Sequence, residues 1–250
     1  MVEYEHRGKT SKPFVSFWES LTSKEGAKAR ARYVLEPVNE YCKQAKKILE
    51  IGCGPGEVLV NLPKRYLIYG LDITKDYIEV CKRKIPRGKF FVSSMHNFKI
   101  TEKFDVIFSA NDAINFLKDF DQWKSTFKTV SEHLNQDGLF IFDVFTPKML
   151  RDTLRWLEKV KRLTGTRAIL FRKFSGGYHD DTGIVKGNTL TWDEKILERL
   201  PNGLYQLHEY KFIERIYPVA KMKSALSEHF DILENNFREK RRVILFVSTE

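Results

Sequence analysis

Two apolar runs joined by a glycine-rich loop set the narrowest limit on how this chain folds. Ile48-Leu49-Glu50-Ile51 enters Gly52-Cys53-Gly54-Pro55-Gly56, which holds three glycines in five residues; a second run, Tyr66 to Leu71, ends on a lone acid, Asp72, 20 residues after the first glycine. That is the layout of a nucleoside-binding βαβ unit. Lacking a Cβ, the glycines let the backbone take positive φ and bring its N–H groups close to a ligand at the start of a helix. Asp72, at the tip of the second strand, is placed to accept hydrogen bonds from both hydroxyls of a ribose. Together these features point to a cofactor containing adenosine.

Spacing separates the cofactor classes. A dinucleotide fingerprint, G-x-G-x-x-G, wants its third glycine where the helix packs on the strand, and that position is Glu57, which a pyrophosphate would not tolerate well. The loop instead reads E-x-G-x-G-x-G from Glu50 to Gly56. In this it resembles motif I of the class I S-adenosylmethionine (SAM)-dependent methyltransferases, whose glycine loop faces the zwitterionic methionine end of the cofactor.

The resemblance runs from about residue 46 to 145. Phe91 to Phe98 looks like the end of the third strand and the adenine-side loop, Phe104 to Leu117 like the fourth strand and the segment after it, and Leu134 to Val144 like a helix end, turn and fifth strand. It implies an α/β, Rossmann-like class I methyltransferase fold. That fold has a seven-stranded, mostly parallel sheet with an antiparallel last strand, here with an antiparallel β insertion after strand five. It also implies SAM as cofactor, with contacts from Glu50, Gly52, Cys53, Gly54, Gly56, Asp72, Ile73, Ser94, Met95 and Asn111. Asn111 and Asp112, after the fourth strand, are the candidates for polar contacts to methionine or methyl acceptor. For Asp112 and Asn115 a helix N-cap and first-turn role is the alternative. The pattern Asp112-Ala113-Ile114-Asn115-Phe116-Leu117 resembles a small-molecule subgroup that includes glycine and amino-sugar N-methyltransferases.

At 250 residues the chain is long enough for one α/β core with an insertion. Periodicity gives the helices and strands, and the resemblance implies how they group: a helical N-terminal cap over 1–45, a SAM-binding core over 46–146, an inserted helix and antiparallel sheet over 147–215, and a return of the core over 216–250. Within the core the expected order is strand 47–51, helix 56–62, strand 66–71, helix 74–84, strands 89–93 and 104–109, helix 121–134 and strand 139–144. Further on, 147–162 reads as a basic helix, 167–174, 183–192 and 204–215 as strands, 218–229 as a helix, and 231–236 and 242–248 as closing strands. Asp180 to Gly183 and Asn202-Gly203 read as turns between them. Phe14, Phe17, Trp18 and Tyr33 are candidates for a lid over the cofactor, or simply for packing on the sheet.

The net charge of +10 is concentrated. Between Lys148 and Lys173 there are nine Lys or Arg against only Asp152 and Glu158, a patch that suits RNA, an acidic small substrate or another subunit, or is a solvated helix face. Three cysteines without a C-x-x-C pair argue against a disulfide framework or zinc site, and no clustered His or acids suggest a metal. There is no apolar h-region at the start and no stretch near the ~20 residues a membrane span needs. The expectation is a cytoplasmic monomer or homodimer with no membrane partner.

Methyl transfer from a sulfonium is an in-line displacement, so alignment and exclusion of water matter most and a dedicated base is optional. Asp143, His96, His179, His208, Tyr178, Tyr205 and Tyr210 are the further polar candidates near the pocket or insertion. The expected function is transfer of a methyl group to nitrogen or oxygen of a small molecule. Alternatives are a tRNA or rRNA methyltransferase gripping phosphates with the basic patch, or a SAM-binding protein without catalysis.

Overall fold

The computed structural model describes residues 15, 19, 23–164, 172–174, 177–239 and 242–248, with side chains throughout these except at 153, 156–158, 160–164, 172–174, 177–183 and beyond 233. The lid candidates Phe14, Phe17 and Trp18 lie outside the described residues, as do the side chains of Tyr178 and His179.

Helix α1 (Lys24–Tyr41) starts where the Ser23 hydroxyl accepts from the Gly26 N–H at 2.9 Å. The core then alternates β1 (Lys47–Ile51), β2 (Leu67–Asp72), α2 (Lys75–Lys84), β3 (Lys89–Val92), β4 (Phe104–Ser109), α3 (Phe120–His133) and β5 (Leu134–Val144). Beyond it come α4 (Pro147–Thr164), β6 (Arg172–Phe174), β7 (Gly177–Lys186), β8 (Thr189–Arg199), β9 (Tyr205–Arg215), α5 (Val219–Leu226), β10 (Asp231–Glu239) and β11 (Arg242–Ser248).

The central sheet has seven strands in the order β10-β11-β5-β4-β1-β2-β3. Five of them, β3-β2-β1-β4-β5, pair in parallel, and β11 joins β5 antiparallel as one arm of the hairpin β10-β11. A separate sheet, β6-β7-β8-β9, is antiparallel throughout.

Alternation along the strands sends side chains to two faces, and each face is covered. Leu49, Ile51, Leu71, Ile107, Phe140 and Phe142 pack against Trp123, Phe127 and Val130 of α3 and Met222 and Leu226 of α5. On the other face Ile48, Ile68, Val106, Phe108 and Ile141 meet Ala31, Val34 and Val38 of α1 and Ile78 and Cys81 of α2. Asp105 fastens the amino end of β1: its carboxylate accepts from the Lys46 and Lys47 N–H groups at 2.7 and 2.9 Å and from Asn135 Nδ2 at 2.7 Å.

Four sequence expectations need correction. The segment 134–138, read as a helix end and turn before a strand at 139–144, already belongs to β5, with Asp137 at φ 58° inside the strand. The helix expected over 56–62 is a single 3₁₀ turn, Leu59–Asn61, because Gly56 sits at φ 77° and Pro63 closes the segment after too few residues to propagate a helix. The strand expected over 183–192 straddles a hairpin: β7 ends at Lys186, Gly187 turns at φ 61°, and β8 runs on through Asp193-Glu194-Lys195 to Arg199. Asp180 to Gly183, read as a turn, lies inside β7. Polar residues on a two-sided strand hid both the strand and its register.

Candidate active site

The loop after β1 is built by backbone geometry that only glycine takes easily. Gly52 sits at φ 70°, and a Cβ there would stand 2.8 Å from Met95 Cε and 2.9 Å from Ala113 Cβ, so its absence lets the segments after β3 and β4 close on the loop. Gly54 is the opposite case: at φ 49° its side-chain direction meets nothing within 4 Å among the described residues, which leaves room there for a ligand. The loop is stitched to β2. Cys53 N donates to Leu71 O at 2.9 Å, Gly54 N donates to Asp72 Oδ2 at 2.9 Å, and Thr74 N donates to Asp72 Oδ1 at 2.8 Å. Beneath it, Cys81 Sγ donates to Gly54 O at 3.2 Å and lies 4.0 Å from Cys53 Sγ; burial pushes the Cys53 thiol well up, so it stays protonated and packs as a small apolar group.

Glu50 is the most unusual group. It is 2% exposed at the carboxyl end of β1, and its Oε2 has no hydrogen-bond partner among the described residues. Desolvation, followed by the negative groups Cys81, Asp72 and Asp143, raises its carboxyl well above the ordinary range, against the pull of Arg30 from α1. A buried carboxylate in that state favours a cationic ligand group. Arg30 is absent from the sequence reading, although its position between Ala27, Ala31 and Val34 on the buried stripe of α1 was a signal for it.

After β4 the chain turns through two left-handed residues, Asn111 at φ 61° and Asp112 at φ 50°. Asp112 N donates to Asp143 Oδ1 at 2.8 Å, so the tips of β4 and β5 are joined. Asp112 precedes the 3₁₀ turn Ala113–Phe116 without a side-chain capping bond. Asn115 is fully buried and bridges three segments: Nδ2 donates to Phe145 O at 3.2 Å and to Arg215 O at 2.9 Å, and Oδ1 accepts from Phe145 N at 2.9 Å. It lies in the first turn after Asp112, as the sequence allowed, and its side chain acts as a staple between segments.

On the other side, Ser94 Oγ lies 2.6 Å from His96 Nδ1, and the His96 carbonyl accepts from Ser125 Oγ at 2.7 Å and Thr129 Oγ1 at 3.0 Å, which anchors this loop to α3. Partial burial lowers the His96 imidazole pKa. Glu50, Gly52, Cys53, Gly54, Gly56, Asp72, Ile73, Ser94, Met95, Asn111 and Asp112 therefore stand at or just past the carboxyl ends of β1 to β4, where open α/β sheets bind ligands.

The antiparallel sheet reaches this edge. Ile196, Tyr210 and Phe212 of its inner face pack with Tyr77 and Val80 of α2 and with Phe116. Tyr77 has its hydroxyl pKa raised well up by burial and then by the charges of Asp72, Tyr210, Glu194 and Glu19. Tyr77 and Glu194 are site-side residues that the sequence reading missed. Nothing in the local pattern of either marks it, since the contact joins α2 to a strand over a hundred residues away. His208 instead pairs with Glu198 at 2.9 Å. Among the described residues no group of three or more His, Cys, Asp or Glu could hold a metal, and no helix is long and apolar enough to cross a membrane.

A parallel sheet with a closing hairpin, a glycine cradle after β1 and an acid after β2 defines a nucleoside-cofactor fold of the methyltransferase type. Residues 48–138 match the methyltransferase domain family. The chain is 30% identical over 210 residues to malonyl-[acyl-carrier protein] O-methyltransferase 1 of Ilyobacter polytropus, covering 79% of this chain and 74% of that protein. It is 29% identical over 141 residues to a protein of Geobacillus sp. (strain WCH70) that carries a provisional methyltransferase name, covering 54% of this chain and 57% of that one. Matches to relatives from Bacillus subtilis and Saccharopolyspora spinosa span 42% and 47% of their lengths, so the chain spans about half of these three curated relatives. Among solved structures, the sugar N-methyltransferase KedS8 from Streptoalloteichus sp ATCC 53650 superposes with a TM-score of 0.81 at 16% identity, covering 100% of this chain and 96% of that one. SAM-bound CalS10, an amino pentose methyltransferase from Micromonospora echinaspora, gives 0.74 at 14% identity, covering 98% of this chain and 100% of that one. The chain belongs to the class I SAM-dependent methyltransferases.

Proposed function

We propose that the protein transfers a methyl group from SAM to nitrogen or oxygen of a small-molecule acceptor. The observation that carries this reading is the pairing of a buried carboxylate oxygen without a partner at Glu50 with the open cradle at Gly54 and the ribose acid Asp72 beyond it. A zwitterionic amino-acid head joined to a nucleoside fits that arrangement, and a diphosphate does not. Glu57, where a dinucleotide fold wants glycine, is held by Lys84, which also grips Glu19 at 2.8 Å.

Asp72 would hold the ribose, the Gly52 to Gly56 backbone and Glu50 the methionine head, and Ser94 and Met95 the adenine side. Bound SAM supplies a sulfonium-activated methyl carbon. Asn111 and Asp112, fixed by the left-handed turn and by Asp143, orient the acceptor against that carbon. The inner face of the β6 to β9 sheet excludes water with Tyr77, Phe116, Tyr210 and Phe212. An amine acceptor loses its proton to solvent before attack and a carboxyl acceptor attacks as its carboxylate, whereas a hydroxyl acceptor leans on Asp112 or Asp143. Names of relatives support both atoms: KedS8 and CalS10 are amine-sugar enzymes by name, and the Ilyobacter relative is an O-methyltransferase.

One observation favours a second reading, an RNA substrate. Lys148, Arg151, Arg155 and Lys159 are exposed along one face of α4, spanning about 16 Å at the ~1.5 Å rise of a helix, with Asp152 as the acid among the described side chains there. Incubation with methyl-labelled SAM and a cell extract divided into metabolites, protein and RNA tests both. Label in the metabolite fraction supports the first reading. RNase-sensitive label, with RNA affinity falling by a log-log salt slope of about −0.7 per phosphate, supports the second.

A further inference from the structure

The loop after β3 carries a serine and a histidine whose pairing the methyl-transfer chemistry does not use. Asn97 N donates to Ser94 O across a turn, which brings the Ser94 hydroxyl and the His96 ring together, Oγ to Nδ1 at 2.6 Å. That separation is normal for a hydroxyl donor and short for a ring N–H donor, so the serine proton points at the imidazole and Nδ1 accepts. The pair is held from behind, since Ser125 and Thr129 of α3 donate to the His96 carbonyl. It is also tied to the ribose acid, through Ser93 N donating to Asp72 O at 3.0 Å. With the ribose of SAM on Asp72, the base, one glycosidic bond further on, comes against Ser94. A serine oxygen whose proton is turned to His96 offers lone pairs, which suit the amino group of adenine and repel the carbonyl oxygen of hypoxanthine.

We propose that His96 is a positioning residue for cofactor specificity: by accepting the Ser94 proton it leaves the serine oxygen as an acceptor that selects adenine over hypoxanthine. This rests on the SAM reading above and adds to it the means by which the base is chosen. The direction of the serine bond follows the charge of the ring. A neutral imidazole accepts at Nδ1, whereas an imidazolium donates there, occupies a serine lone pair and turns the hydroxyl proton out toward the base. Burial favours the neutral ring and outweighs the attraction of Asp119, the N-cap of α3 and the charged group that acts on the ring among the described residues. The imidazole pKa therefore lies below its ordinary value, and the accepting state prevails at neutral pH. His133, the other imidazole close to this loop, is engaged at both nitrogens, with Thr129 O at 2.7 Å and Ile100 N at 3.3 Å.

Calorimetry on the full chain with S-adenosylhomocysteine and S-inosylhomocysteine tests this. The two probes share their amino-acid end, so titration of Glu50 acts on both and cancels in the ratio of their dissociation constants. The preference for the adenosyl probe should shrink about tenfold, the effect of one misdirected hydrogen bond, as the pH falls from about 7.5 to about 5 and His96 takes up a proton. His96→Phe should shrink it as much at about pH 7.5, while His96→Asn, whose amide oxygen accepts without titrating, should keep it at both pH values. In a Ser94→Ala background His96→Phe should change the ratio no further, a result that a merely structural role for the ring would not give. With both probes bound, a ratio that is flat with pH, or one that His96→Phe leaves unchanged, overturns the proposal and leaves the SAM reading standing. A wild-type protein that does not bind the adenosyl probe overturns both.

Discussion

In the proposed reading, two carboxyl groups 22 residues apart share the recognition of SAM, and their surroundings differ. Asp72 is fixed by two backbone N–H donors and stays ready for hydroxyl groups. Replacing it with alanine removes the acceptor and frees the Gly54 N–H, so SAM affinity measured by calorimetry should fall by about 10- to 100-fold, the range for losing a buried hydrogen-bond partner. Glu50 is buried without such donors, and its raised pKa ties its proton to stability. In the ligand-free protein the folded state holds this proton more tightly than the unfolded chain, whose glutamates titrate near 4.3. Stability is therefore lost as pH rises from about 4.3 through the raised folded value, at about 1.4 kcal/mol per tenfold difference in proton affinity. Glu50→Gln should remove that slope in melts recorded across pH. An ammonium group beside Glu50 reverses the preference, so SAM binding should release protons, seen as a dependence of binding heat on buffer ionisation enthalpy. The variant should bind without that dependence.

At the scale of elements, much of the cofactor half was legible in the sequence. The runs at 47–51 and 104–109 are strands with those bounds, because buried parallel strands read as unbroken apolar runs between glycine and aspartate punctuation. The glycine loop and Asp72 were legible because a positive φ and a strand-tip acid leave their mark on residue type. The insertion was not, because β7 and β8 carry charged residues on both faces and their hairpin turns on Gly187 rather than on the Asp180 to Gly183 cluster. Arg30, Tyr77 and Glu194 act across elements that no spacing rule connects. Asn115 is the clearest example, since the sequence places it after β4 and only the fold shows that its amide spans to Phe145 and Arg215. Asn115→Ala strands two carbonyls and an N–H in the interior, so unfolding free energy should drop by about 2–4 kcal/mol in denaturant titrations. Asn115→Asp, which keeps the acceptor for Phe145 N but loses both donors, should recover only part of it.

For the whole molecule, acid resistance should track Asp105, which ties the amino end of β1 to β4 and to the start of β5. Burial raises its carboxyl pKa, but hydrogen bonds from Lys47, Lys46 and Asn135 outweigh that and set it below the ordinary value. A depressed folded pKa gives stability that is complete above the unfolded value of about 3.9 and is lost as pH falls through the folded one. Asp105→Asn should thus cost stability at neutral pH and much less at pH near 3, with the two unfolding curves converging in acid. Asn115 has a consequence at this scale too. Its amide grips Phe145, where the chain leaves the cofactor half, and Arg215, where it comes back, so the whole excursion begins and ends at one side chain. Such a clasp makes the stretch a cassette. A relative's segment grafted between the same two anchor points should change which acceptor is methylated while the affinity for SAM stays that of the recipient, so that acceptor choice can diversify without rebuilding the cofactor site.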